Sequence, residues 1–220
     1  MPRYDFTTQR LHTRIDLDTG AVLQLDRAQA NYLLNVLRLG DGDAVLLFNG
    51  RDGEWQATVR PDGRKAASLV VAERTRAQTS LPDLQLLFAP LKQARLEYMV
   101  QKAVEMGVGR LTPVRTEFTN AKPPRTDKAG AYIIEAAEQC GILAVPTMDD
   151  MLPLAEALEP SRRLIFCDEG EASQNPLDPL RELERGPLTL LIGPEGGFSE
   201  AERAMLRGLP NVTPMPLGPR

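Results

Sequence analysis

Apolar positions in the first third of the chain come in short runs. AVLQL (21–25), DAVLLFN (43–49), EWQATV (54–59) and KAASLVVAE (65–73) are separated by GDGD, NGRDG and PDGRK. Runs of this length, rich in β-branched residues and broken by glycine and aspartate, predict strands joined by tight turns. Between the first two runs the period changes. In DRAQANYLLNVLR (26–38), Leu33, Leu34 and Leu37 fall on one narrow face and Asp26 stands where an N-cap belongs, so a helix over 26–38 is predicted. The set predicts a small β-barrel over 1–74.

The polar segment TRAQTSLPD (75–83) ends at a proline and reads as a linker. Beyond it, strands alternate with helices. LQLLFAP (84–90) is a buried strand, and KQARLEYMVQKAVEMG (92–107) an amphipathic helix with Leu96, Met99, Val100, Ala103 and Gly107 on one face. A short apolar segment near 110–114, a helix near 126–140, the strands RLIFCD (163–168) and LTLLI (188–192), and a helix opening at Ser199 follow. This alternation predicts crossover units on a parallel sheet, an α/β domain over 84–220.

Composition adds limits. With 42% hydrophobic and 25% charged residues, the 220-residue chain has the make-up of a globular protein. No run reaches the about eighteen apolar residues of a membrane span, and MPRYDFTTQR holds no signal-peptide core, so a cytoplasmic protein without a membrane partner is expected. Cys140 and Cys167 lie in apolar stretches without paired spacing, which predicts two buried, reduced thiols. His12, the single histidine, has no ligand-spaced Cys or His, so no metal is expected. The net charge is −4, with residues 1–75 balanced at ten Lys/Arg and ten Asp/Glu. RNA binding would therefore rest on a local patch and on shape. Arg3, Arg10, Arg14, Arg38 and Arg51, with Tyr4, Phe6 and Tyr32 among them, are the candidate RNA-binding residues, suited to phosphate contacts and base stacking. Met99, Met106 and Trp55 read as packing residues.

The densest chemical signal is LTLLIGPEGGFSEAER (188–203). Ligands of open α/β sheets bind at the carboxyl ends of strands, where GPEGG sits. Gly193, Gly196 and Gly197 can take positive φ and let backbone approach a ligand closely, Pro194 stiffens the turn, and Ser199 with Glu202 has capping-box spacing. The phosphate-cradling fingerprints G-x-x-x-x-G-K-[ST] and G-x-G-x-x-G are missing, as are G-x-S-x-G and H-E-x-x-H. A tight turn without a ligand remains the plain alternative.

LLIGPEGGFSEAE followed by PLGPR resembles the cofactor-binding end of the SPOUT methyltransferases, and more narrowly the bacterial family that methylates N3 of a uridine in small-subunit ribosomal RNA. LLFAPLKQARLEYMVQKAVEMGV resembles that family's strand-Pro-Leu-Lys-helix segment, with Lys92, Gln101, Lys102, Glu105, Gly107 and Val108 in register. EAAEQCG (135–141) resembles its Glu-Ala-Ala-x-Gln-Ser-Gly motif, and VLRLGDGDAVLLFNGRDGEWQATV its PUA-like barrel. The resemblance implies an α/β trefoil-knot (SPOUT) methyltransferase domain after a small PUA-like β-barrel domain. It further implies a homodimer, S-adenosyl-L-methionine as cofactor, and ribosomal RNA or the small ribosomal subunit as partner. The implied cofactor-binding positions are Gly193, Glu195, Gly196, Gly197, Leu217 and Gly218. The family pattern continues past Leu-Gly-x-Arg, whereas the sequence ends at Arg220, so an incomplete C-terminal end is expected. Phe118 and Ile142 stand where the family tends to have arginine.

Methylation at uridine N3 requires loss of the N–H proton and stabilisation of charge on the two flanking carbonyl oxygens. Lys92 and Arg220 are the candidates for that stabilisation, and Glu195 for accepting the proton if its surroundings raise its pKa. A decayed domain serving only RNA binding and dimerisation, a SPOUT enzyme for another RNA position, and an unrelated α/β enzyme using the loop for phosphate are the rival readings.

Overall fold

The computed structural model describes residues 5–63, 66–170, 175 and 177–216. Two units emerge from the pattern of contacts: Met1–Ser80 with Ile134–Val145, and Leu81–Ile133 with Pro146–Arg220. Arg3, Tyr4, Leu217, Gly218 and Arg220 lie outside the described residues.

In the first unit, β1 (Arg10–His12), β2 (Val22–Gln24), β3 (Ala44–Phe48), β4 (Glu54–Asp62) and β5 (Ala66–Arg76) form one sheet in the order β1-β3-β4-β5-β2. The β1–β3 pair is parallel and the others antiparallel, and no β1–β2 pair closes the sheet among the described residues. Alternate residues Val45/Leu47, Ala57/Val59 and Leu69/Val71 point into one core with Leu33, and Trp55 packs against its edge. The unbroken apolar run of β3 has a second cause. Phe48 is buried in a separate cluster with Ala137 and Leu143, supported by Ile142, so this strand is covered on both faces. Ile142 is thus a packing residue.

The helix expected over 26–38 exists in two parts. Asp26 accepts the Gln29 N–H at 2.8 Å and Gln29 accepts the Asp26 N–H at 3.1 Å, a capping box that starts α1 (Arg27–Asn31). A π-helical turn, Tyr32–Val36, continues it, and Arg38 just beyond takes a left-handed φ of 60°.

In the second unit, β6 (Leu84–Phe88), β7 (Arg110–Arg115), β8 (Thr147–Met148), β9 (Leu152–Pro153), β10 (Arg163–Cys167), β11 (Leu188–Ile192) and β12 (Val212–Met215) form a sheet ordered β12-β10-β11-β6-β7-β8, with β9 beside β7. Every pairing is parallel, as the alternation predicts. Crossovers include α2 (Gln93–Glu105), α4 (Leu154–Ala157), α5 (Leu177–Glu182) and α6 (Glu200–Arg207), while α3 (Thr126–Cys140) starts in this unit and belongs to the first from Ile134 onward. Leu96, Val100, Ala103 and Val104 form the buried face of α2. Met106, expected to pack, is 80% exposed, because it caps the helix beyond its last apolar turn. Near the amino ends of the strands the sheet carries polar side chains that satisfy one another. Gln85 donates to Thr112 at 3.0 Å and accepts from Thr189 at 3.1 Å. The other end of the sheet is where the chemistry gathers.

After β6 the chain crosses through α2 to β7 on one side. After β11 it crosses through α6 to β12, beyond β10 on the other side. The β11–β6 boundary is therefore a topological switch point, the place where crevices open at strand carboxyl ends.

Candidate active site

Three loops meet at that boundary. Pro90, Leu91 and Lys92 follow β6, Phe118, Asn120 and Ala121 follow β7, and Pro194, Glu195 and Gly196 follow β11; together they line a cavity of about 160 Å³. The sequence-predicted Lys92, Glu195 and Gly196 are brought together here. Phe118 is part of the same wall.

The glycines of the turn do different jobs. At Gly193 a Cβ would stand 2.8 Å from Phe198 Cζ and 2.9 Å from Cδ2. That space belongs to the buried Phe198 ring, which packs edge-on against Phe166 at 4.9 Å between centroids. Gly193 is therefore required by packing, and it is not among the cavity's lining residues. Gly197 is the one glycine of the loop with positive φ, at 72°, and its Cβ would meet Glu169 Oε1 at 2.5 Å. The expectation of positive φ at Gly193 and Gly196 is corrected. Gly196 lacks a Cβ for another reason: the nearest atom to one would be Phe118 Cβ at 3.5 Å, so its open side faces the cavity wall.

The loop is held from below. Asp168, fully buried at the end of β10, receives Arg203 Nη1 and Arg207 Nη2, each at 2.7 Å, and the Gly170 N–H at 3.0 Å. Burial pushes the Asp168 carboxyl upward, but the Arg207 and Gly170 hydrogen bonds and the charges of Arg203 and Arg207 outweigh it and hold the group below its usual range. Arg203 also donates to Phe198 C=O at 3.2 Å and to Glu169 at 3.1 Å, so one guanidinium clamps the turn to the strand end.

Ser199 and Glu202 form the expected capping box of α6. Glu202 does more than cap. One carboxylate oxygen accepts the Ser199 N–H at 3.0 Å, and the other accepts the Glu117 N–H at 2.8 Å. A single side chain therefore ties the Phe118 loop to the glycine loop. That loop is further closed by Thr116, whose N–H donates to Thr119 Oγ1 at 2.9 Å.

Lys92 is the N-cap residue of α2, exposed, with no side-chain capping bond and no ion pair among the described residues. Lys92 stands at the positive end of this helix, a place that favours an anion. Glu195 is 73% exposed and ion-paired with Arg95 on the first turn of α2. Arg95 had no local signal in the sequence, since its partner lies a hundred residues away.

The arginines assigned to RNA divide. Arg14, Arg38 and Arg51 are exposed, and Arg51 reaches Asp16 at 2.6 Å. Arg10 is corrected: it is 5% exposed and bound to the buried Glu54 at 2.9 Å, with Arg76 on the same carboxylate, so it holds the first unit together and offers nothing to a phosphate. Half-burial, then Arg14 and Arg51, push the His12 imidazole below its usual range. Of the cysteines, Cys167 is buried and its thiol is pushed up to about 11 by burial, but Cys140 at the end of α3 is exposed, against expectation.

Comparison with known proteins identifies both parts of the chain. The family model for the RNA methyltransferase domain matches residues 78–220, and that for the RNA methyltransferase PUA domain matches residues 25–72. The chain is 27% identical over 190 residues to the ribosomal RNA small subunit methyltransferase E of Rickettsia conorii, covering 86% of this chain and 78% of the relative. A Legionella pneumophila protein solved in complex with the bound cofactor SAM superposes with a TM-score of 0.79 at 28% identity, over 97% of this chain and 90% of that one. A Neisseria gonorrhoeae ribosomal RNA small subunit methyltransferase E bound to S-adenosyl methionine shares the fold, with a TM-score of 0.79 at 21% identity over 97% and 90% of the two chains. With the domain model spanning well over half of its residues, this chain belongs to the RNA methyltransferase family.

Proposed function

We propose that the protein transfers a methyl group from S-adenosylmethionine to N3 of a uridine in small-subunit ribosomal RNA. The observation that carries this reading is the cavity at the β11–β6 switch point, walled by the glycine loop and faced by the bare edge of Gly196. The names of the relatives support the class of RNA.

The residues fit one end of the cofactor. About 160 Å³ is less than the ~300 Å³ or more of a pocket for a drug-sized ligand, so a molecule seated on Gly196 extends past these walls. When bound, S-adenosylmethionine supplies an electrophilic methyl on a sulfonium. The chain's own groups then have two tasks. Lys92 places a positive charge at the cavity wall, where it stabilises a uracil whose N3 proton has passed to the Glu195 carboxylate or to water and which carries charge on its carbonyl oxygens. The Arg95–Glu195 pair joins the glycine loop to the first turn of α2 at the surface.

The finer architecture belongs to the same proposal. β11 inserts between β6 and β10, an order that supports a knotted path for this domain. Tyr98 on α2 and Met106 at its C-cap, 64% and 80% exposed, support a homodimer through this helix, and a ribosomal substrate supports a cytoplasmic site of action.

Incubation with methyl-labelled S-adenosylmethionine and small-subunit RNA or subunits, followed by nucleoside analysis, tests the reading. Labelled 3-methyluridine is expected. A different methylated nucleoside would overturn the N3 assignment, and unlabelled RNA would overturn the activity. Normal turnover by Lys92→Ala with unchanged cofactor affinity would remove Lys92 from the mechanism.

A further inference from the structure

Phe118 is the one aromatic among the described residues that line the cavity, and it is 42% exposed. A large apolar side chain left half in water beside a cavity calls for a reason. Its placement is specific. Phe118 Cβ and Cγ stand 3.5 and 4.0 Å from where a Gly196 Cβ would be, so the stem of the side chain abuts the glycine loop while the ring extends beyond it. The backbone beneath the ring is fixed from both sides, by the Glu117 N–H to Glu202 bond and by the Thr116–Thr119 turn. Asn120, on the same wall, carries an amide that can both donate and accept, and Lys122 just beyond is an exposed cation. A phenyl ring on a tethered backbone, a polar amide and a nearby cation are elements by which proteins hold an unstacked base of single-stranded RNA.

We propose that Phe118 is the platform on which the target base stacks when it enters the cavity, making it a specificity-determining residue. The proposal rests on the reading that this cavity methylates RNA, and it places the base, not the cofactor, against the ring. The stem of Phe118 stands against the Gly196 backbone, and the ring lies beyond it on the cavity wall. The Glu202 bridge gives the platform its fixed height above Gly196.

The test compares the wild type, Phe118→Ala and Phe118→Tyr in two measurements. One is calorimetric titration with S-adenosylmethionine, and the other steady-state methylation of small-subunit RNA. Loss of one base–aromatic stack is expected to lower kcat/KM for RNA about 10- to 100-fold in Phe118→Ala, with cofactor Kd within about twofold of wild type and Phe118→Tyr close to wild type. An active wild type matched by an equally active Phe118→Ala overturns the platform alone. A Phe118→Ala variant that binds the cofactor at least tenfold more weakly also overturns it, because the ring then serves the cofactor. A wild type that binds cofactor and methylates no RNA overturns the functional reading, and the platform with it.

Discussion

Two alanine substitutions three residues apart should have opposite effects. At Gly193 a new methyl would fall within 3 Å of the Phe198 ring, which is 6% exposed, packed on Phe166 and part of the core around Leu87, Leu191 and Leu206. The ring has nowhere to go without disturbing that core, so Gly193→Ala is an overpacking change costing about 1–3 kcal/mol. For a chain of this size that is a fall in melting temperature of about 2–12 °C. At Gly196 the nearest atom to the same methyl is at 3.5 Å, ordinary contact, and φ is not positive. Gly196→Ala should leave melting unchanged or raise it slightly, since alanine restricts the unfolded chain by about 0.4–1 kcal/mol. Binding should show the reverse. The Gly196 methyl occupies cavity space and should weaken S-adenosylmethionine about tenfold or more, whereas Gly193→Ala, measured well below its melting point, should bind more nearly as wild type does. Scanning calorimetry and isothermal titration on both variants decide the matter. A Gly193→Ala protein that melts with the wild type would refute the packing argument, and a Gly196→Ala protein with unchanged cofactor affinity would refute the placement of the cofactor.

Three further outcomes follow from the same geometry. Asp168→Ala removes the buried acceptor of two arginines and should cost about 3 kcal/mol in urea unfolding. Because the folded carboxyl lies below its unfolded value, the wild-type contribution is full above the ordinary carboxylate range near pH 4 and is lost as pH falls through the folded pKa. The wild-type–variant gap should therefore shrink in acid, and a gap that widens there would contradict the assignment. Glu202→Gln keeps one carbonyl acceptor for two backbone donors, Ser199 and Glu117, and should cost about 1–2 kcal/mol while loosening the Phe118 loop, read as faster amide exchange at Glu117. Alkylation of the native protein by iodoacetamide should modify Cys140 and spare Cys167, whose thiol is buried and pushed up to about 11; peptide mapping that finds equal labelling would be against this.

The readable parts of this chain are those whose determinants are local. Asp26 with Gln29 and Ser199 with Glu202 announce helix starts because the capping bonds span three residues, and both boxes are present. LTLLI is a strand over the residues expected, since an apolar run ending at Gly-Pro has few other uses. The unreadable parts depend on distant partners. β1 has no alternation in Arg-Leu-His and is a strand because it pairs with Leu46–Phe48. The short strands β8, β9 and β12 are likewise made by their neighbours in the sheet.

Function residues follow the same rule. GPEGG stands out in the sequence as a site, yet only coordinates separate the glycine that makes room for Phe198 from the one that opens on the cavity. Arg10 reads locally as one more solvated arginine, and its buried partner Glu54 is forty-four residues away. Phe118 reads as an exchange for an arginine in a polar loop. Its meaning comes from Gly196 beside it and from Glu202, eighty-five residues from the Glu117 amide it holds. A site built from three strand ends is visible in sequence as three separate motifs, and the chemistry lies in how the sheet order brings them together. That is why the substitution at Phe118 carries the most information: it changes a residue whose local sequence predicts almost nothing and whose position predicts a measurable loss.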